Sequence, residues 1–84
     1  MAKRVIFSGE ARADIRAIDR ETALRLLKGL ARFLATDAGN VKQLSGFDPP
    51  QYRLRIGDWR FIFRKRGEDA MEVLRVRNRG EAYR

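Results

Sequence analysis

The clearest pattern in the chain is an alternation. Tyr52, Leu54 and Ile56 alternate with Arg53 and Arg55; after Gly57-Asp58, Trp59, Phe61 and Phe63 alternate with Arg60, Ile62 and Arg64. A period of two marks half-buried strands. Gly57-Asp58, with glycine first, suits the two-residue connector of a type II′ hairpin. The loop then fixes the register: Ile56 faces Trp59, Arg55 faces Arg60, Leu54 faces Phe61, Arg53 faces Ile62 and Tyr52 faces Phe63. One face carries Tyr52, Leu54, Ile56, Trp59, Phe61 and Phe63, the surface a covering layer of helices needs for a core. The other carries Arg53, Arg55, Arg60, Ile62 and Arg64.

Upstream the period becomes helical. Ala23, Leu27, Leu30 and Leu34 form a stripe flanked by Leu24, Leu26, Ala31 and Phe33, wide enough for a helix lying against a sheet. Asp19 or Thr22 opens it, and Gly39 and Asn40 are its stop signals. Its basic residues Arg25, Lys28 and Arg32 fall on a solvated face. An earlier helix over 9–18 is capped by Ser8, has Glu10 in its first turn and repeats Ala11, Ile15 and Ile18. Residues 3–7 read as a first strand. Residues 42–50 read as irregular, because Gly46 and Pro49-Pro50 interrupt regular structure. Gly67-Glu68-Asp69 is a second turn, 71–76 a last strand, and Asn78-Arg79-Gly80 breaks it. The expected fold is α+β in the order β-α-α-β-β-β, with two helices on one face of a small twisted, mainly antiparallel sheet. Residues 1–84 make a single domain.

Composition narrows the chemistry. The 84 residues include no cysteine and no histidine. Disulfides and thiolate metal sites are therefore excluded, along with the side chain that most often titrates near neutrality. No cofactor and no metal are expected. The apolar runs are too short to span a bilayer. The start, Met1 to Phe7, has no secretory core, so a cytoplasmic location is expected. Neither helix has the composition of a membrane-surface helix.

Charge changes the picture most. Nineteen Lys and Arg against eleven Asp and Glu give a net charge of +8. The only lysines are Lys3, Lys28, Lys42 and Lys65, so arginine dominates. Arginine suits planar, bidentate phosphate contacts. Such a balance points to nucleic acid, an anionic membrane or an acidic protein. Within the hairpin, Arg55 opposite Arg60 is a like-charge pair that destabilises a sheet by about 0.2–1 kcal/mol. A bound anion would turn that repulsion into attraction. Solvated strand surface is the plainer account of any single arginine, and the clustering is what favours a site. The aromatic residues Trp59, Phe61 and Phe63 are core rather than a stacking platform.

These residues carry a resemblance. Residues 52–63 resemble the strand pair of RelE-type toxins, residues 72–84 resemble that family's last strand and C-terminal segment, and Val41 to Gly46 resemble its short basic segment before the hairpin. With the two-helix start, the chain is similar along nearly its whole length to the RelE/ParE toxin superfamily. The resemblance implies a type II toxin with helices on one sheet face and a site on the other. It implies a ribosome-dependent endoribonuclease that cuts mRNA in the A site, the ribose 2′-OH attacking the adjacent phosphate. A cognate antitoxin that binds the toxin as a hetero-oligomer is implied too, as are the ribosome and mRNA as partners. Carried over by position, Arg60, Arg79 and Tyr83 are the catalytic candidates, with Arg77 competing with Arg79. Arg53, Arg55, Arg64 and Arg77 are the RNA-binding candidates. Tyr83 stacks on a base or polarises the 2′-OH. The general base is open, since arginine keeps its proton; Glu81 and Tyr83 are the titratable groups nearby in sequence. Two other readings stand beside this one: a ParE-like poison of DNA gyrase without nuclease activity, and a basic nucleic-acid-binding module without catalysis.

Overall fold

The computed structural model describes residues 4–78. Along the chain run β1 (Arg4–Phe7), α1 (Gly9–Arg16), α2 (Arg20–Thr36), β2 (Asn40–Leu44), β3 (Gln51–Ile56), β4 (Trp59–Arg66) and β5 (Ala70–Asn78). The strands form one five-stranded sheet in the order β1-β5-β4-β3-β2. β1 runs parallel to β5 and the other neighbours are antiparallel. This is the α+β fold expected, with two helices packed on the sheet.

The β3–β4 hairpin has the predicted register at each of the five pairs from Tyr52–Phe63 to Ile56–Trp59. Gly57 sits at φ 59, the left-handed region the first position of this turn requires. Leu54, Phe61 and Phe63 are buried on the covered face, joined by Leu26 and Leu30 of α2, Ala11 of α1, and Met71, Val73 and Val76 of β5. Phe33 meets Phe63 with ring centroids 6.2 Å apart. Gly29 lets α2 approach the sheet: a Cβ there would stand 2.9 Å from Ile56 Cγ2.

Three features depart from the sequence reading. Asn40–Leu44, part of which was expected to be irregular, is the edge strand β2, paired with β3 from Asn40–Arg55 to Leu44–Gln51. Nothing apolar alternates in it, and backbone pairing with β3 decides its conformation. Helix α2 stops earlier than Gly39. Its C-cap is Asp37 at φ 57, whose N–H donates to the Phe33 carbonyl. The third departure is a register shift between Ile62 and Phe63 in the β4–β5 pairing. It places Arg77 beside Arg60 and Arg75 beside Ile62.

Side-chain hydrogen bonds seat α1 on β5 beyond the end of β1. The Ser8 hydroxyl accepts from Ala11 N–H at 3.0 Å, capping α1, and donates to the Leu74 carbonyl at 2.9 Å. Asp14 accepts from Arg75 Nε at 2.8 Å, from Arg75 Nη2 at 3.1 Å and from the Val76 N–H at 2.9 Å. An edge amide that would otherwise lack a strand partner is thus satisfied by a carboxylate.

Candidate nucleic-acid interface

Residues directly opposite in a sheet project from the same face, so the registers lay out the uncovered face row by row. Asn40, Arg55, Arg60 and Arg77 form one row across β2, β3, β4 and β5. Lys42, Arg53, Ile62 and Arg75 form the next. Neighbouring strands lie about 4.8 Å apart, so Arg55, Arg60 and Arg77 have their backbones within about 10 Å. Arg60, at the centre, is only 5% exposed. Arg53, Arg55 and Arg77 are half-buried around it.

Burial sharpens the electrostatics. A guanidinium withdrawn from water attracts an anion more strongly, and repels its like-charged neighbours more strongly, than one in bulk solvent. No carboxylate is a register partner of Arg53, Arg55, Arg60 or Arg77 among the described residues. The Nε of Arg53 is buried and has no hydrogen-bond partner among the described residues. A buried donor left unsatisfied costs about 1–3 kcal/mol, and an anionic oxygen would satisfy it.

Among the described residues, the acids near this face lie at its margins. Glu72, opposite Arg64, accepts from Arg64 Nε at 2.8 Å and from Arg66 Nη1 at 3.0 Å. Those two hydrogen bonds hold its carboxyl below the usual range. Asp14 sits at the β5 edge, its carboxyl also lowered: burial pushes it up, but the hydrogen bonds from Arg75 and Val76 and the charges of Arg75 and Arg77 outweigh that.

The structure therefore brings together Arg53, Arg55 and Arg60, as the strand periodicity suggested, and adds Arg77, which the β4–β5 register sets beside Arg60. Arg64 is on the same face but bonded to Glu72, which offsets its charge. Arg79 and Tyr83, as well as Glu81, lie outside the described residues. Two cations went unassigned in the sequence reading. Lys42 reaches this face because β2 is a strand, and Arg75 because of the shift in the β4–β5 register. Chemically, the rows can bind phosphate oxygens and stabilise negative charge developing on them. They offer no proton acceptor, since arginine stays protonated and the chain has no histidine. Among the described residues, no group of three or more His, Cys, Asp or Glu side chains could hold a metal ion, and no helix is long and apolar enough to cross a membrane.

Comparison with known proteins gives the lineage. The family model of the ParE toxin of the parDE type II toxin-antitoxin system matches residues 5–83. The chain belongs to the ParE toxin family. It is a toxin of a type II toxin-antitoxin system, within the RelE/ParE superfamily. No curated protein matches the toxin by sequence. Solved structures share its fold. The archaeal RelE–RelB complex from Pyrococcus horikoshii superimposes with a TM-score of 0.73 at 22% identity, over 95% of this chain and 98% of that one. The RelBE2 toxin-antitoxin complex from Mycobacterium tuberculosis gives a TM-score of 0.78 at 20% identity, over 94% and 93%. The RelB–RelE complex from Methanococcus jannaschii gives 0.70 at 19% identity, over 93% and 94%.

Proposed function

We propose that the toxin is a ribosome-dependent endoribonuclease that cleaves mRNA in the A site. The observation that carries this reading is the row Arg55–Arg60–Arg77, with its central guanidinium 5% exposed. A sheet that places three like charges side by side is built for an anion rather than for stability alone. The ribose 2′-OH attacks the adjacent phosphorus and the 5′-oxygen leaves, the proton of the nucleophile passing to a base and a proton reaching the leaving oxygen. Negative charge builds on the non-bridging oxygens. Arg60 and Arg79 stabilise it, while Arg53, Arg55 and Arg77 hold the RNA backbone. Lys42 joins this backbone contact, and Arg64, bridged to Glu72, borders it. Tyr83 stacks on a base or polarises the 2′-OH. Because these guanidiniums do not exchange protons at neutral pH, the toxin works chiefly through charge and positioning.

A cognate antitoxin is proposed as the partner that silences this face. The similar structures from Pyrococcus horikoshii, Mycobacterium tuberculosis and Methanococcus jannaschii are complexes of toxin with antitoxin. A toxin of net charge +8 favours an acidic one.

The second reading, poisoning of DNA gyrase, is favoured by the description of the matching family as ParE. Purified toxin should be offered mRNA on programmed ribosomes and, in parallel, gyrase with supercoiled plasmid. Codon-position cleavage that disappears in Arg60→Ala supports the nuclease. Trapped gyrase–DNA breaks with intact mRNA would replace it with the poison.

A further inference from the structure

An aliphatic side chain interrupts the cations of the uncovered face. Ile62 stands in the row Lys42–Arg53–Ile62–Arg75, between Arg53 on β3 and Arg75 on β5. It shares strand and face with Arg60, two residues and about 7 Å away. Ile62 is half-buried, yet alternation points it away from the core that its neighbours Phe61 and Phe63 help to build. Isoleucine favours strands, but threonine does so too and suits a row of cations better. The two sides of Ile62 are not equivalent. Arg75 is bound through Nε and Nη2 to Asp14, which offsets its charge at the β5 edge. Arg53 and the exposed Lys42 have no carboxylate partner in the row, and the buried Arg53 Nε has no hydrogen-bond partner among the described residues.

We propose that Ile62 is the platform for a nucleobase, that of a nucleotide whose backbone runs from the Arg55–Arg60–Arg77 row to Arg53 and Lys42; this rests on the RNA-binding reading above. All of these residues project from the same, uncovered face. Arg53 is one strand from Ile62, about 4.8 Å, and Arg60 is about 7 Å along β4, a spacing that one nucleotide spans. A base carried between the two rows comes down on the side chain between them. Its face and the sec-butyl group of Ile62 then remove apolar surface of both from water. The same contact excludes water from Arg53 and strengthens its attraction for a phosphate oxygen. That oxygen is the acceptor the Arg53 Nε lacks. An aliphatic platform has no hydrogen-bonding edge, so it takes any base by its face and adds affinity without sequence choice. The path has one direction. Toward β2 it meets Lys42, and toward the β5 edge it meets the Asp14 carboxylate, which repels a phosphate.

The test compares a dye-labelled single-stranded ribo-oligonucleotide with a labelled strand of the same length whose units lack bases. Each is titrated with the full chain and followed by anisotropy. The wild type should bind the intact strand more tightly. Ile62→Thr keeps a β-branched strand former and should reduce that preference by roughly fivefold, the low end for a base contact, without changing the dependence on salt. Lys42→Ala, at an exposed position of the edge strand, should do the converse. The preference stays, and the log–log salt slope falls by about 0.7 for one lost phosphate contact. A preference that survives unchanged in Ile62→Thr would overturn the platform and leave the RNA-binding face standing. An equal loss of affinity for both strands would overturn it too, because that marks Ile62 as a residue of structure alone. Failure of the wild type to bind either strand would instead overturn the RNA reading on which the platform rests.

Discussion

Arg55→Thr should make the toxin more stable and less able to bind RNA. Arg55 faces Asn40 on one side and Arg60 on the other. Threonine removes one directly opposed like-charge pair, worth about 0.2–1 kcal/mol. Its β-branched side chain adds a few tenths of a kcal/mol in a strand. The sum is about 0.5–1.3 kcal/mol. For a domain of this size each kcal/mol moves Tm by about 4–8 °C, so the variant should melt about 2–10 °C higher at low ionic strength. The gain should shrink with salt, because screening acts over about 10 Å at 0.1 M. Thermal unfolding followed by circular dichroism measures both. Sulfate at fixed ionic strength should raise the Tm of the wild type more than that of the variant, since an anion relieves the repulsion only where it exists. Binding of a single-stranded ribo-oligonucleotide should weaken, and its log–log salt slope should fall by about 0.7 for one lost phosphate contact. A lower Tm for Arg55→Thr, or an equal response to sulfate, would refute the argument that the row is a strained anion site.

Other consequences follow from the margins of the face. Asp14→Ala leaves the Val76 amide and the Arg75 guanidinium without their acceptor; unfolding in urea should show a loss of about 2–3 kcal/mol. Ser8→Ala removes both the α1 cap and the bond to the Leu74 carbonyl, and the same assay should show about 1–2 kcal/mol lost. Acid should destabilise the fold through Asp14 and Glu72, whose folded values lie below the ordinary 3.8 and 4.5. Their stabilisation is complete above those ordinary values and is lost as pH falls through the lowered ones. A pH series of Tm should therefore decline below about pH 4.5, and Asp14→Asn should flatten part of that decline.

The hairpin was legible because its signals agree. A two-residue glycine turn and strict alternation leave one register, and the register alone sets Arg55 against Arg60. The Ser8 cap was legible for a similar reason, a local signal meeting a local need. Strand β2 was not. Its two apolar residues, Val41 and Leu44, are three apart and its first four residues are exposed at the sheet edge, so no period of two betrays it, and Lys42 was left without a face. The irregularity in the β4–β5 pairing was equally silent. Nothing in the run from Met71 to Arg77 says where the register slips, yet the slip decides that Arg77 lies beside Arg60 and Arg75 beside Ile62. The bond from Asp14 to Arg75 joins residues 61 apart in sequence, and only tertiary structure brings them together.

The most direct test of the central claim is made in cells. The toxin is expressed briefly from an inducible promoter and mRNA 5′ ends are mapped across the transcriptome, beside Arg60→Ala. The account predicts new ends confined to translated codons, absent in the variant and suppressed by the cognate antitoxin. Intact mRNA accompanied by growth arrest and DNA breaks would contradict it.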